Sequence, residues 1–109
     1  MKQRLLTGII ALLVTVCAVA QTTSALPWDG TTTTWTQGAG TQANPYLIEN
    51  GAHLAYLADK VNTGTTYAGV YFKMVNDIDM DGNPWTPIGT DATNSFRGVF
   101  DGDNHSVFD

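Results

Sequence analysis

The chain divides by hydrophobic pattern into segments of different character. Leu5 to Ala20 is an uncharged, mostly apolar run, preceded by the basic Met1-Lys-Gln-Arg4. Ala18-Val-Ala20 supplies the small residues a signal peptidase accepts, with Thr23-Ser-Ala25 a second place for the cut. The pattern predicts a cleaved signal peptide over residues 1–20 and a mature start near Gln21. A run interrupted by Thr7, Gly8 and Thr15 falls short of the ~20 apolar residues that span a bilayer. Cys17 follows Val14-Thr-Val16 rather than small residues, so no lipid attachment is expected there. Residues 21–44 are rich in Thr, Gln, Gly and Ala, and Gly38-Ala-Gly40 breaks any regular element. They read as an extended polar arm pinned by Trp28 and Trp35.

From Pro45 the pattern becomes regular. Pro45-Tyr-Leu-Ile48 is a short strand signal, and Asn50 is a good N-cap because its side-chain oxygen can accept a free first-turn N–H. Leu54, Leu57, Ala58 and Val61 then recur at helical spacing, and Asn62-Thr-Gly64 stops the helix. Beyond Gly69 the period changes to two. Val70, Phe72, Met74, Asn76, Ile78 and Met80 share one face; Tyr71, Lys73, Val75, Asp77 and Asp79 share the other. This predicts one strand of about eight to ten residues, bent near Asn76, the single polar residue on its apolar face. Trp85-Thr-Pro-Ile-Gly89 is extended, because the residue before Pro87 is pushed toward β geometry. Thr90 to Ser95 is a polar loop, and Phe96, Gly98 and Phe100 share a face. Asp101-Gly-Asp-Asn104 is a turn in which Gly102 would take the positive φ, and His105 to Asp109 begins another strand.

Charge narrows the partners. After residue 20, ten acids stand against Lys60, Lys73 and Arg97, a formal charge of −7. That charge disfavours anionic membrane and excludes nucleic acid as partners, since both require clustered bases, and no stable membrane span is expected once the signal is cleaved. With no cysteine after Cys17, a disulfide scaffold and a thiolate metal site are excluded as well.

Five segments occur together in a fixed order: Asn44-Pro-Tyr-Leu-Ile-Glu49; Leu54-Ala-Tyr-Leu-Ala58 with Val61-Asn62; Tyr71-Phe-Lys-Met-Val-Asn-Asp-Ile-Asp79; Trp85-Thr-Pro-Ile-Gly89; and Phe96-Arg-Gly-Val-Phe-Asp-Gly102 with His105. Over about residues 28–108 this order resembles the N-terminal part of bacterial GLUG-motif surface proteins, especially those of gut Bacteroidetes. It is also similar to the non-catalytic N-terminal region of IgA-specific metallopeptidases. The resemblance implies a mainly β fold over residues 45–109, the start of a right-handed parallel β-helix (solenoid) whose one helix caps the N-terminal end. An amphipathic helix is one way to cover an open sheet edge. The glycine-rich GLUG repeats that follow in the family are missing here, and about one and a half coils fall short of the three or more units a repeat fold needs. The expectation is therefore a fragment of a longer protein, a marginally stable cap with an open lower edge, monomeric or self-associating edge to edge.

Candidate chemistry is sparse. Asp77-Ile-Asp-Met-Asp-Gly-Asn83 matches the first half of a calcium loop, but the closing twelfth position is Ile88. Asp77, Asp79 and Asp81 are thus expected to be a solvated strand face and turn. Asp101, Asp103 and Asp109 could be offered as a glycosidase carboxylate pair, yet Asp101 and Asp103 only flank Gly102 in a turn. His53, expected to be exposed in the first helical turn, and His105 lack partnering motifs. Trp28, Trp35, Tyr46 and Trp85 could form an aromatic platform for sugar rings, although Trp85 reads more readily as packed. The reading is an exported cell-surface or secreted module, structural or adhesin-like and non-enzymatic, with a host or dietary glycan or a surface protein as partner. No cofactor, metal or catalytic residue is assigned. The alternatives are the N-terminal part of a β-helix polysaccharide-degrading enzyme and the accessory region of a secreted peptidase.

Overall fold

A computed structural model describes residues 26–109. The expected signal peptide, its cleavage site and the first residues of the arm lie outside the described residues. Those described form β1 (Tyr46–Ile48), α1 (Gly51–Asn62), β2 (Tyr71–Met74), β3 (Ile78–Asp79), β4 (Val99–Asp101) and β5 (Val107–Phe108). One sheet has the order β1-β2-β4 and the other pairs β3 with β5; all neighbours are parallel. Pro27 adds an isolated parallel bridge to Asp79.

The helix forms where its spacing predicts. Asn50 Oδ1 accepts the His53 N–H at 2.9 Å, which satisfies one of the donors that a helix start leaves unpaired. At the far end, Gly64 has φ +114° and donates to the Val61 carbonyl at 3.1 Å. Leu54, Leu57, Ala58 and Val61 are all buried. Leu54, Leu57 and Val61 meet Ile48, Phe72, Met74, Ile78, Met80 and Trp28 in one core, with Trp35, Tyr46, Tyr67, Phe96 and Phe100 packed around it.

Three expectations need correction. The described residues form no right-handed parallel β-helix and no solenoid. They form one helix and two small parallel sheets whose strands have two to four residues. The connection from β1 to β2 carries the helix, that from β2 to β4 carries β3 and a long loop, and no coil unit repeats. The part is not dominated by strands either: the five short strands together hold 14 residues against 12 in the helix. Second, the single long strand divides into β2 and β3, which belong to different sheets. Val75 still donates to Ile48, but the chain turns at Asn76. That residue is exposed and spends its amide on the Glu49 carbonyl at 3.0 Å. The in-and-out alternation survives the break, with Phe72, Met74, Ile78 and Met80 all buried. Third, Asp103 (φ +46°) and Asn104 (φ +63°) take the left-handed geometry of the last turn instead of Gly102. Asp and Asn tolerate that region better than other side chains, and the Asp103 N–H donates to Asp101 Oδ1 at 2.9 Å.

Candidate functional site

The four aromatic residues considered for sugar binding separate into two groups. Trp35 and Tyr46 belong to an internal cluster. Trp35 lies 5.0 Å from Phe72, 5.2 Å from Tyr56, 5.5 Å from Tyr46 and 5.8 Å from Tyr67, centroid to centroid. Mostly edge-on contacts of this kind are how aromatic quadrupoles pack favourably. Through Trp35 these rings hold the polar arm to the sheet. Burial raises the pKa of the Tyr67 hydroxyl, and the neighbouring Tyr56 and Tyr46 add to that.

Trp28 and Trp85 form the second group. Their rings meet edge to face at 6.0 Å. Trp28 is almost fully buried against the helix start and donates its Nε1–H to the Thr31 carbonyl at 2.7 Å. Its backbone is fixed as well: the N–H donates to the Asp79 carbonyl at 2.8 Å, and Asn83 Nδ2 donates to its own carbonyl at 2.6 Å. Trp85 is 37% exposed, so the expectation that it packs inside is only half met. Around these rings lies an open cleft of about 310 Å³, lined also by Thr32, Ala58, Asp59 and Thr86.

The cleft brings together three distant parts of the chain: the arm, the outer side of the helix C-terminal half, and the Pro84–Thr86 segment. Asn62, also on its lining, fixes the last of these. Its Nδ2 donates to the Pro87 carbonyl at 2.8 Å, and its Oδ1 accepts the Gly89 N–H at 2.8 Å. The helix end thereby holds the loop that carries Trp85. Asp59 makes no side-chain hydrogen bond or ion pair with any described residue, so its carboxylate is available at the cleft wall. Thr32 and Thr86 add hydroxyls that can both donate and accept. An aromatic face with a few convergent polar groups is the composition that small-molecule sites use to orient a ligand. Sequence reasoning missed Asp59, Asn62, Thr32 and Thr86, because no local pattern signals groups that converge only after folding.

The acidic candidates do not converge. Among the described residues, no group of three or more His, Cys, Asp or Glu side chains could hold a metal ion. Asp77 Oδ1 accepts the Ser106 N–H at 2.9 Å and lies 3.1 Å from His105 Nδ1; these two contacts lower its pKa, the backbone bond foremost. Asp79 Oδ1 accepts the Asp81 N–H at 2.8 Å, closing the turn. Asp101 accepts from Asp103, Asp103 pairs with Lys73 at 3.7 Å, and Asp109 accepts the Gly82 N–H. Each of these carboxylates except that of Asp81 thus has a structural contact. His105 ties the last turn to Asp77. His53 is corrected: it is 4% exposed, not a surface residue. Its Nδ1 accepts the Glu49 N–H at 3.1 Å, which places the ring proton on Nε2. Burial lowers its pKa, with Glu49 opposing.

No model of a known protein family matches the chain, and no solved structure matches it significantly. It is 38% identical over 76 residues to the "Putative Gly-rich membrane protein" of Evansella cellulosilytica. That match takes in 64% of this chain but only 8% of the relative's length. A relative of that description is compatible with an envelope location for this chain. Among the described residues, no helix is long and apolar enough to cross a membrane.

Proposed function

We propose that this chain is an exported module of the outer cell surface or extracellular space, and that it binds carbohydrate without transforming it. The observation carrying this reading is the cleft between Trp28 and Trp85, where a partly exposed indole stands beside a carboxylate and two hydroxyls. Sugar rings present apolar C–H faces and polar rims. An aromatic plane takes the first, and Asp59, Thr32 and Thr86 take the second. One carboxylate lines the cleft, whereas glycoside hydrolysis commonly uses two at a set separation, so binding is proposed rather than cleavage. The amino-terminal pattern of residues 1–20, the envelope-compatible relative and the resemblance to GLUG-motif surface proteins support the location.

Glycan-array retention of the purified protein, followed by titration with the best ligand, tests the reading. Trp85→Ala is expected to weaken binding about tenfold or more, equivalent to roughly 1.4 kcal/mol; because it also removes the edge contact with Trp28 and lowers the melting temperature, affinities are compared well below the transition of both proteins. Failure to retain any glycan, or equal affinity in the Trp85→Ala variant, would refute it.

A further inference from the structure

The lining of the Trp28–Trp85 cleft carries an unbalanced charge. Ala55, Ala58, Asp59 and Asn62 recur at i, i+3, i+4 and i+7, so a single stripe of α1 faces the cleft. The two alanines are buried and short, which leaves room above them for a ring beside the partly exposed Trp85. Of the polar side chains on this lining, Asn62 has both ends of its amide committed to Pro87 and Gly89. The Asp59 carboxylate and the Thr32 and Thr86 hydroxyls make no side-chain hydrogen bond with a described residue.

No described Lys, Arg or His side chain lines the cleft, and the described cations are held elsewhere. Lys60 follows Asp59 in the sequence but lies on another stripe of the helix. Its Nζ stands 5.4 Å from the centre of the Tyr56 ring, and Tyr56 in turn packs on Trp35. Lys73 pairs with Asp103, and Arg97 donates to the Ser95 hydroxyl and the Ala92 carbonyl. Asp59 is therefore a carboxylate at the wall of an aromatic cleft with no counter-charge among the described residues.

That combination distinguishes between sugars. A protonated amine on a sugar ring gains from the carboxylate and from the indole quadrupole, while the C–H face of the same ring lies on the aromatic plane. A uronate or sialate would set a second negative charge against Asp59, in a chain already at −7 after residue 20. An N-acetylated sugar is neutral and gains no charge pairing. We propose that the cleft selects sugars of the glucosamine class whose amine is free and protonated, and that Asp59 is the residue that makes the selection. The proposal rests on the carbohydrate reading of this cleft and sharpens it.

The test is calorimetric titration of the full chain, at a pH that keeps the amine protonated. The probes are a glucosamine trisaccharide, its N-acetylated counterpart and a glucuronate-containing trisaccharide. The expected order of affinity is free amine, then N-acetyl, then glucuronate. The first two should differ about fivefold at low ionic strength and converge as salt is raised. In Asp59→Asn that ratio should fall to about one, whereas Asp81→Asn removes the same charge outside the cleft and should keep it. Equal affinity for the free-amine and N-acetylated sugars, both weakened by Trp85→Ala, overturns the selection and leaves the carbohydrate reading standing. If none of the three sugars binds, the selection is overturned, and the glycan array decides the carbohydrate reading separately. A preference that survives Asp59→Asn, or that Asp81→Asn abolishes equally, reports attraction to the overall charge and overturns the proposal. Choline bound as tightly as the glucosamine trisaccharide overturns it too, because the cleft would then recognise an ammonium without its sugar.

Discussion

Replacing Asn62 by Asp separates the two hydrogen bonds that hold the Trp85 loop. The Asn62 side chain donates to Pro87 and accepts from Gly89, both at 2.8 Å. Asn62→Asp preserves the acceptor for Gly89 but aims a second carboxylate oxygen at the Pro87 carbonyl. One neutral hydrogen bond is worth about 1 kcal/mol net. The added repulsion between two acceptors is moderated by the partial exposure of the site, so a loss of about 1–3 kcal/mol at neutral pH is expected. For a domain of this size each 1 kcal/mol corresponds to roughly 4–8 °C in Tm. The sign with pH is distinctive. The carbonyl disfavours the ionised form, so the introduced carboxyl has a raised folded pKa. The deficit is therefore complete above that value and shrinks as pH falls through it, because the protonated acid can again donate to Pro87. Melting curves from pH 7 to pH 4 measure this relative to the unaltered protein. Amide exchange adds an independent readout: Gly89 should exchange faster in Asn62→Ala and keep its protection in Asn62→Asp. A Tm for Asn62→Asp equal to that of the parent at pH 7, or unchanged Gly89 exchange in Asn62→Ala, would refute the coupling of helix end to loop.

Gly51→Ala should destabilise, because the added Cβ would sit 2.5 Å from Trp28 Cβ and 2.6 Å from its Cγ; overpacking of this kind costs about 1–3 kcal/mol, and a Tm at or above that of the parent would count against the docking of Trp28 on the helix start. Phe72→Ala removes a fully buried ring at the centre of the aromatic cluster, with an expected loss of about 3–5 kcal/mol by urea titration. His53 has a folded pKa held below its ordinary 6.5 by burial, so its contribution to stability is complete above about pH 6.5 and is lost as pH falls below it. His53→Gln, whose amide carbonyl can still accept the Glu49 N–H, should flatten the dependence of Tm on pH between 7 and 5, and an equally steep dependence in that variant would exclude His53 as its source.

Local physics made the helix readable. Asn50, the apolar stripe and Gly64 act within a few residues of one another, and the helix they define spans the residues they predict. The alternation of residues 70–80 was equally legible as burial, but not as one strand. Periodicity reports which face is buried and is silent about where a chain changes sheet. The break depends on Asn76 meeting Glu49 and on Asp77 meeting His105 and Ser106, partners 27 to 29 residues away. The expected solenoid failed for a related reason: a resemblance in segment order carries no information about how connections of unlike content close around a core. His53 looked exposed because helical position alone does not reveal that Glu49 offers its ring a hydrogen bond. The cleft was visible in the sequence only as two tryptophans. Asp59 and Asn62 join them through the geometry of the helix, and nothing near them in the sequence marks the loop they face.

The anchoring of Trp28 also sets a clock on folding. The carbonyl that receives its N–H belongs to Asp79, and the amide that holds its own carbonyl belongs to Asn83, 55 residues later. At roughly 5–20 residues per second of synthesis, that indole waits about 3–11 s for its partners to be made. Contacts of such long range also slow closure once the chain is complete. Until then Trp28 is carried by the hydrophilic run of threonines from Thr31 to Thr34, which keeps the unfinished N-terminal stretch hydrated. The backbone of Trp28 is thus fixed only after Asp79 and Asn83 have been made.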